Sequence, residues 1–115
     1  MLHFLFQWKY KDPALKAMLE TTQDRPAELA KAVEGFGGKV HQFYFAFGEY
    51  DGVAIVEFPT NESCIACSLT LGGGGANTAL STTVLIPPDE GARAMRLARE
   101  TKTGYRSPVG YSSHG

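Results

Sequence analysis

Residues 39–58, KVHQFYFAFGEYDGVAIVEF, decide the fold of this 115-residue chain, because they contain two strands and the turn between them. Apolar residues recur at every second position on both sides of the turn, which is typical of a strand with one buried face. They are Phe43, Phe45 and Phe47 before the turn and Ala54, Val56 and Phe58 after it. Gly48 and Gly52 bracket the reversal, where a short turn needs a residue at positive φ. The stretch predicts a β-hairpin, with either a tight turn or a longer loop in which Gly52 forms a bulge.

The length of this loop decides which side chains share a face of the sheet. With an even number of loop residues, the face that we expect helices to cover collects His41, Phe43, Phe45, Phe47, Gly52, Ala54, Val56 and Phe58. The other face then holds Gln42, Tyr44, Ala46, Val53, Ile55 and Glu57. An odd number would send the side chains of one strand to the opposite face. The second face mixes aliphatic and polar groups, so we expect a functional site there.

The remaining sequence supplies two further strands. The first alternates Leu2, Phe4, Phe6 and Trp8 with His3, Leu5, Gln7 and Lys9. The last, residues 76–86, contains three Thr and one Val. Both have the period of two that strands require.

Three segments between the strands have helix signals. Asp12-Pro13 and Asp24-Arg25-Pro26 are typical helix starts, because Asp caps the free N–H groups and Pro fits the first turn. The stripes that follow are Leu15, Met18 and Leu19 in one helix and Leu29, Val33 and Phe36 in the other. A third helix over residues 62–71 is expected to bury Ile65 and Leu69. The resulting order, β-α-β-β-α-β, predicts an α+β fold with a four-stranded antiparallel sheet and helices on one face.

The sequence Gly48-Glu49-Tyr50-Asp51, followed by an aliphatic strand that ends in Glu57-Phe58-Pro59, resembles the GYD-domain family of small bacterial proteins. Gly37-Gly38-Lys39-Val40 matches the family's entry to the second strand, and the likeness covers roughly residues 2–86. The resemblance implies a ferredoxin-like fold related to dimeric α/β-barrel proteins, which are usually oligomeric. For most members it implies no assigned reaction.

The composition changes after Pro87-Pro88. We expect residues 1–87 to form the ferredoxin-like domain and residues 88–115 to form a C-terminal helix with a mobile tail. Acidic residues open this helix and basic residues close it, which suits the helix dipole. The resemblance to the GYD family is not expected to extend into this segment.

Charge and hydropathy exclude several function classes. The formal net charge is −1 with both signs interspersed, so the chain has no basic stripe for nucleic acid and no polybasic patch for a membrane surface. The apolar runs are too short for a spanning helix, and the N-terminus lacks the features of a signal peptide. We therefore expect a cytoplasmic protein whose two cysteines are reduced.

A four-stranded sheet covered by helices on one side leaves its other face bare, and here that face is partly apolar. We expect a second copy to cover it, so that the protein is a homo-oligomer, because a large exposed apolar area is a liability in a monomer. Two such sheets would form a barrel, in which Gln7, Gln42, Tyr50 and Asp51 are candidate residues for binding a small molecule. A solid interface without a ligand is equally consistent with the sequence.

Glu57 is the candidate catalytic carboxylate. With His3 or Tyr44 nearby it could act as a general base, which would make the protein a small cofactor-independent monooxygenase or isomerase. The alternative is a carboxylate that is hydrogen-bonded across the dimer interface. Tyr50-Asp51 has a sufficient structural explanation, since Asp at a turn commonly bonds the nearby backbone.

Cys64-Ile65-Ala66-Cys67 has the spacing of a redox motif at a helix start. Small buried residues that fill the core are the favoured interpretation, because no aromatic residue precedes Cys64 and the helix is amphipathic. The histidines show no metal-ligand spacing, and one cysteine pair supplies only half of a closed zinc site. We predict neither a metal nor a cofactor.

Overall fold

A computed structural model describes residues 1–109, which form two compact units, Met1–Leu85 and a second that begins at Ile86. The elements are β1 (Leu2–Tyr10), α1 (Asp12–Glu20), α2 (Arg25–Gly35), β2 (Lys39–Phe45), β3 (Gly52–Phe58), α3 (Asn61–Gly73), β4 (Asn77–Leu85) and α4 (Pro88–Glu100). The first helical region is therefore two helices. Residues 110–115, the end of the predicted mobile tail, lie outside the described part of the chain.

The four strands form one antiparallel sheet in the order β2-β3-β1-β4. The two central strands, β1 and β3, are neighbours in the sheet although they are not consecutive in the chain. This is the four-stranded antiparallel α+β sheet that the order of elements predicted, and it is ferredoxin-like, as the family resemblance implied.

The hydrophobic core lies on one side of this sheet, between the strands and the helices α2 and α3. Alternate residues of β1 and β3 are buried there, namely Phe4, Phe6, Trp8, Tyr10, Ala54, Val56 and Phe58. Leu29 and Val33 of α2 and Cys64 and Cys67 of α3 pack against them. We call this side the helix-covered face. The predicted placement of helices on a single face is confirmed.

Two predicted helix stripes are wrong in detail. In α1 no residue is fully buried; Met18 packs against the core, but Leu19 is almost fully exposed. In α3 the buried residues are Cys64 and Cys67, whereas Ile65 and Leu69 are exposed. α3 is apolar around much of its circumference, so its sequence does not specify which side meets the sheet.

The predicted cap by Asp24 is confirmed, whereas the one by Asp12 is wrong, because α1 begins at Asp12 itself and has no side-chain cap. The Oδ1 atom of Asp24 accepts a hydrogen bond of 3.1 Å from the backbone of Ala27 at the start of α2. Thr60 and Ser63 form a reciprocal capping box at the start of α3. Gly37 follows α2 with φ of 80°, a conformation that favours glycine at a helix end.

Residues 46–51 connect β2 to β3, an even number, so Phe43 faces Ala54 and Phe45 faces Gly52 as predicted. Neither Gly48 nor Gly52 has a positive φ, so the reason given for these glycines is wrong. Gly52 is needed because the indole ring of Trp8 lies against its Cα, where a Cβ would overlap the ring.

Phe47 lies within this connection and is fully exposed, so its predicted burial beneath the helices is also wrong. The strand β2 ends at Phe45, before alternation would place Phe47 in the sheet.

The second unit begins with the predicted C-terminal helix, α4. Asp89 and Glu90 occupy its first turn and Arg99 its last, and none of its residues is buried. Among residues 1–109, no helix combines the length and apolar character needed to cross a lipid bilayer.

Candidate functional site

We call the side of the sheet opposite α2 and α3 the open face. A β-bulge in β2 changes which side chains point to this face. Val40 pairs with Val56 of β3, and Gln42 pairs with Ile55, so His41 between them has no partner in the register. A bulge of this kind inserts one residue into a strand and re-aims the side chains around it.

The bulge brings His41 to the open face, so its predicted place on the helix-covered face is wrong. The Nε2 atom of His41 lies 3.1 Å from Oε1 of Glu57. Its ring stacks on that of His3, with the ring centroids 5.3 Å apart. His3 and Glu57 are themselves register partners in β1 and β3. Three adjacent strands thus each contribute one polar side chain to a single cluster.

This cluster of His3, His41 and Glu57 is partly shielded from solvent. The side chain of Glu57 is 17% exposed and that of His41 is 35% exposed. One ligand atom from each of the three residues can be chosen so that all three lie within 4.8 Å of one another. Two imidazoles and a carboxylate at this spacing can share a proton or bind a metal ion.

The centre of the open face is apolar. Leu5, Val53 and Ile55 are partly buried, although no helix of the first unit covers this side, and Tyr44 is 59% exposed. Gln7 and Gln42 lie beside them, which places polar groups around an aliphatic centre.

The three candidate catalytic residues do not all lie close to one another within one chain. His3 and Glu57 are adjacent, but Tyr44 pairs with Val53, four positions along β3 from Glu57. That spacing corresponds to about 13 Å along a strand. Catalysis by Glu57 with His3 stays a prediction, and Tyr44 would have to act elsewhere on the face.

Asp51, a candidate ligand-binding residue, has a structural role. Its Oδ2 atom accepts a hydrogen bond of 2.9 Å from the backbone N–H of Tyr10, and its own N–H donates to the carbonyl of Trp8 at 2.8 Å. Oδ1 lies 3.8 Å from Nζ of Lys9. The aspartate therefore ties the connection between β2 and β3 to the end of β1. The sequence predicted a hydrogen bond between the Asp51 side chain and the nearby backbone. The structure has one with the backbone of β1 instead, which is distant in the sequence. A role for the half-buried Tyr50 in ligand binding stays a prediction.

The two cysteines are free and buried in the core beneath α3. Burial raises the pKa of the Cys64 thiol, an effect that a hydrogen bond with Ser68 partly opposes. Burial, with a smaller contribution from Cys64, raises the pKa of Cys67 to about 11. A redox motif needs an accessible thiolate, so the interpretation as small core residues is confirmed.

A cavity that the sequence did not predict lies on the helix-covered side. Its volume is about 270 Å³, and α2, α3, β1 and β4 contribute to its lining. Asn77 is one of the lining residues, and its Oδ1 atom is buried without a hydrogen-bond partner. Such a gap arises from how the helices pack, which residue periodicity does not reveal.

Comparisons with known proteins agree with this fold. The family model described as the GYD domain matches residues 4–95. The match reaches into α4, beyond the point at which the resemblance was expected to end. A search of curated proteins found no match.

Solved structures show similar folds at low sequence identity. FFRP-DM1 has a TM-score of 0.51 and 19% identity, over 75% of this chain and 100% of that one. MtbAldR has a TM-score of 0.55 and 16% identity, over 75% of this chain and 53% of that one. A hypothetical protein from Pyrococcus horikoshii has a TM-score of 0.47 and 17% identity, over 76% and 92% of the two chains. At these identities, the first two support the fold alone.

Proposed function

This chain belongs to the GYD-domain family, and from that premise we propose that two copies pair through their open faces and enclose a small, partly apolar ligand. The observation that carries the proposal is the chemistry of the open face. It has an aliphatic centre and polar groups around it, and helices of the first unit cover only the opposite side of the sheet.

A second copy is the occupant that this surface favours. Removing the aliphatic side chains of Leu5, Val53 and Ile55 from water would stabilise the dimer by about 25 cal/mol for each Å² of apolar surface buried. The formal net charge of the chain is −1, so two copies repel each other weakly. A two-fold pairing is also self-complementary, because one patch serves both partners.

The area of the open face indicates whether residues outside the sheet would also take part in the interface between two copies. β2 and β3 have seven residues each, and β1 and β4 have nine. Strands of these lengths, about 4.8 Å apart, give a plan area of roughly 500 Å². A stable interface buries about 800 Å² on each partner. We therefore expect exposed residues beside the sheet, such as Phe47 in the connection that follows β2, to take part.

The polar groups support a ligand between the copies. Gln7, Gln42, His3 and Glu57 can donate or accept hydrogen bonds, and packed sheets lie about 10 Å apart, which leaves space wherever the facing side chains are short. Apolar lining with a few polar groups is the usual form of a small-molecule site. The ligand class that fits has an apolar body and one or two polar groups.

Native mass spectrometry tests both parts of this proposal. We expect the purified protein to appear as a dimer that carries an additional small mass, released by collisional activation. Ile55→Asp should abolish the dimer and the bound mass, because it places an unpaired carboxylate at the centre of the contact. Leu19→Asp is the matched control, since Leu19 is almost fully exposed on α1, and it should retain both.

The outcomes separate the two parts. A dimer without a bound small mass would contradict the ligand, and a dimer that persists in Ile55→Asp would contradict the use of the open face.

A further inference from the structure

We propose that His3, His41 and Glu57 form a binding site for a divalent first-row transition-metal ion, with two imidazole nitrogens and one carboxylate oxygen as ligands. The site is complete within one chain, so it does not depend on the pairing of two copies. It was not expected from the sequence, because alternation along β2 places His41 on the wrong side of the sheet.

The spacing of the three side chains carries the proposal. Metal–nitrogen and metal–oxygen bonds of about 2.0–2.1 Å place the ligand atoms of a tetrahedral site about 3.3 Å apart. The 3.1 Å between Nε2 of His41 and Oε1 of Glu57 already corresponds to that spacing. The chosen nitrogen of His3 lies within 4.8 Å of the other two ligand atoms. Rotation of the His3 ring is the adjustment that would bring it closer.

The backbone holds these residues in place. His3 and Glu57 are paired across two central strands, and the bulge in β2 presents His41 to both. Bulges recur beside functional sites, where the local bend that they introduce re-aims a side chain. Glu57 faces His41, although its register partner in β2 is Lys39. The carboxylate of Glu57 therefore lies against the imidazole of His41, which is the second of the three proposed metal ligands.

The donor set indicates which ions fit. Imidazole nitrogen favours Zn²⁺, Fe²⁺, Co²⁺, Ni²⁺ or Cu²⁺, whereas Mg²⁺ and Ca²⁺ prefer sites made of oxygen atoms. Three protein ligands leave at least one coordination position for water or another small molecule. That position would lie on the open face, where an exogenous ligand could reach it.

Isothermal titration of the chelator-treated protein with Zn²⁺ alone, and separately with Co²⁺ alone, tests the site. We expect one ion to bind per chain, and Mg²⁺ to give no saturable heat. His41→Gln and Glu57→Gln should each weaken binding by about tenfold or more, since even the loss of a second-shell partner weakens metal binding 10–100-fold. Glu34→Gln, which alters an exposed glutamate of α2 on the helix-covered side, is the matched control and should bind as the unaltered protein does.

Two further measurements make the result decisive. Urea unfolding of each variant without metal shows whether its fold is intact, so that lost binding is assigned to the lost ligand. Titrations at protein concentrations below and above the dimerisation midpoint should give the same metal affinity, which separates this site from the proposed pairing. Absence of saturable binding, or unchanged affinity in His41→Gln, would overturn the proposal and leave a close contact between His41 and Glu57 beside a stacked histidine.

Discussion

Gly52→Ala is expected to destabilise the fold by about 3 kcal/mol, because it inserts a methyl group into a packed core. A Cβ at this position would lie 2.7 Å from Nε1 of Trp8 and closer still to two ring carbons. Ordinary contact begins at 3.4 Å, so the ring would have to retreat by about 0.7 Å or more.

The indole ring has little room to move. Trp8 is only 6% exposed, and its ring lies 5.3 Å from that of Phe43 and 6.5 Å from that of Tyr10, measured between centroids. A shift of Trp8 therefore disturbs both aromatic neighbours, which is why we expect the larger end of the overpacking range.

Gly48→Ala is the matched control for this substitution. No atom outside its own neighbours lies within 4 Å of a Cβ at Gly48, and its φ is not positive. We expect it to be neutral or to stabilise the fold by about 0.4–1 kcal/mol, because alanine restricts the unfolded chain.

Urea unfolding followed by far-UV circular dichroism measures both effects as free energies of unfolding. A double-mutant cycle with Trp8→Phe, which removes the ring atoms in question, should reduce the effect of Gly52→Ala by about 1 kcal/mol or more. The reasoning is refuted if Gly52→Ala and Gly48→Ala unfold with free energies within about 0.5 kcal/mol of each other.

Three further predictions concern other contacts of the fold. Asp51→Ala should lower the free energy of unfolding by about 2 kcal/mol, because the N–H of Tyr10 loses a charged acceptor, and Asp51→Asn should lower it less. Thr60→Ala should lower the urea midpoint by the equivalent of about 1 kcal/mol, since it removes the acceptor for the N–H of Ser63. Burial raises the pKa of Cys67 from 9.0 to about 11, so the thiol loses its proton at lower pH in the unfolded chain. The free energy of unfolding should therefore decrease from pH 9 to pH 11, and the decrease should be smaller in Cys67→Ala.

Each of these predictions has a contrary result. Equal stability of Asp51→Ala and the unaltered protein would show that the bond to Tyr10 is not needed. An unchanged midpoint for Thr60→Ala would remove the capping box as a source of stability. Identical pH dependence with and without the Cys67 thiol would mean that its burial does not disfavour the thiolate.

The sheet could be predicted from the sequence because its signals are local and regular. Phe43 and Phe45 alternate in β2, and an even loop places them opposite Ala54 and Gly52. The exposure of Ile65 and Leu69 could not be predicted, because several faces of α3 are apolar and only packing selects the face with Cys64.

The candidate site was predicted in part. Alternation in β1 and β3 correctly placed His3 and Glu57 together on the open face. His41 was assigned to the other face because a bulge leaves no signal in a period of two. The one indication that His41 lies on the open face was its polarity at a predicted buried position, since a histidine among phenylalanines on a core face is unusual.

Sedimentation equilibrium of the unaltered chain tests the central claim, that the open face pairs with a second copy, most directly. We expect a mass of twice that of one chain over a wide range of protein concentrations. A single-chain mass that persists at the highest concentration would contradict the claim, because the aliphatic centre of the sheet would then be stable in water.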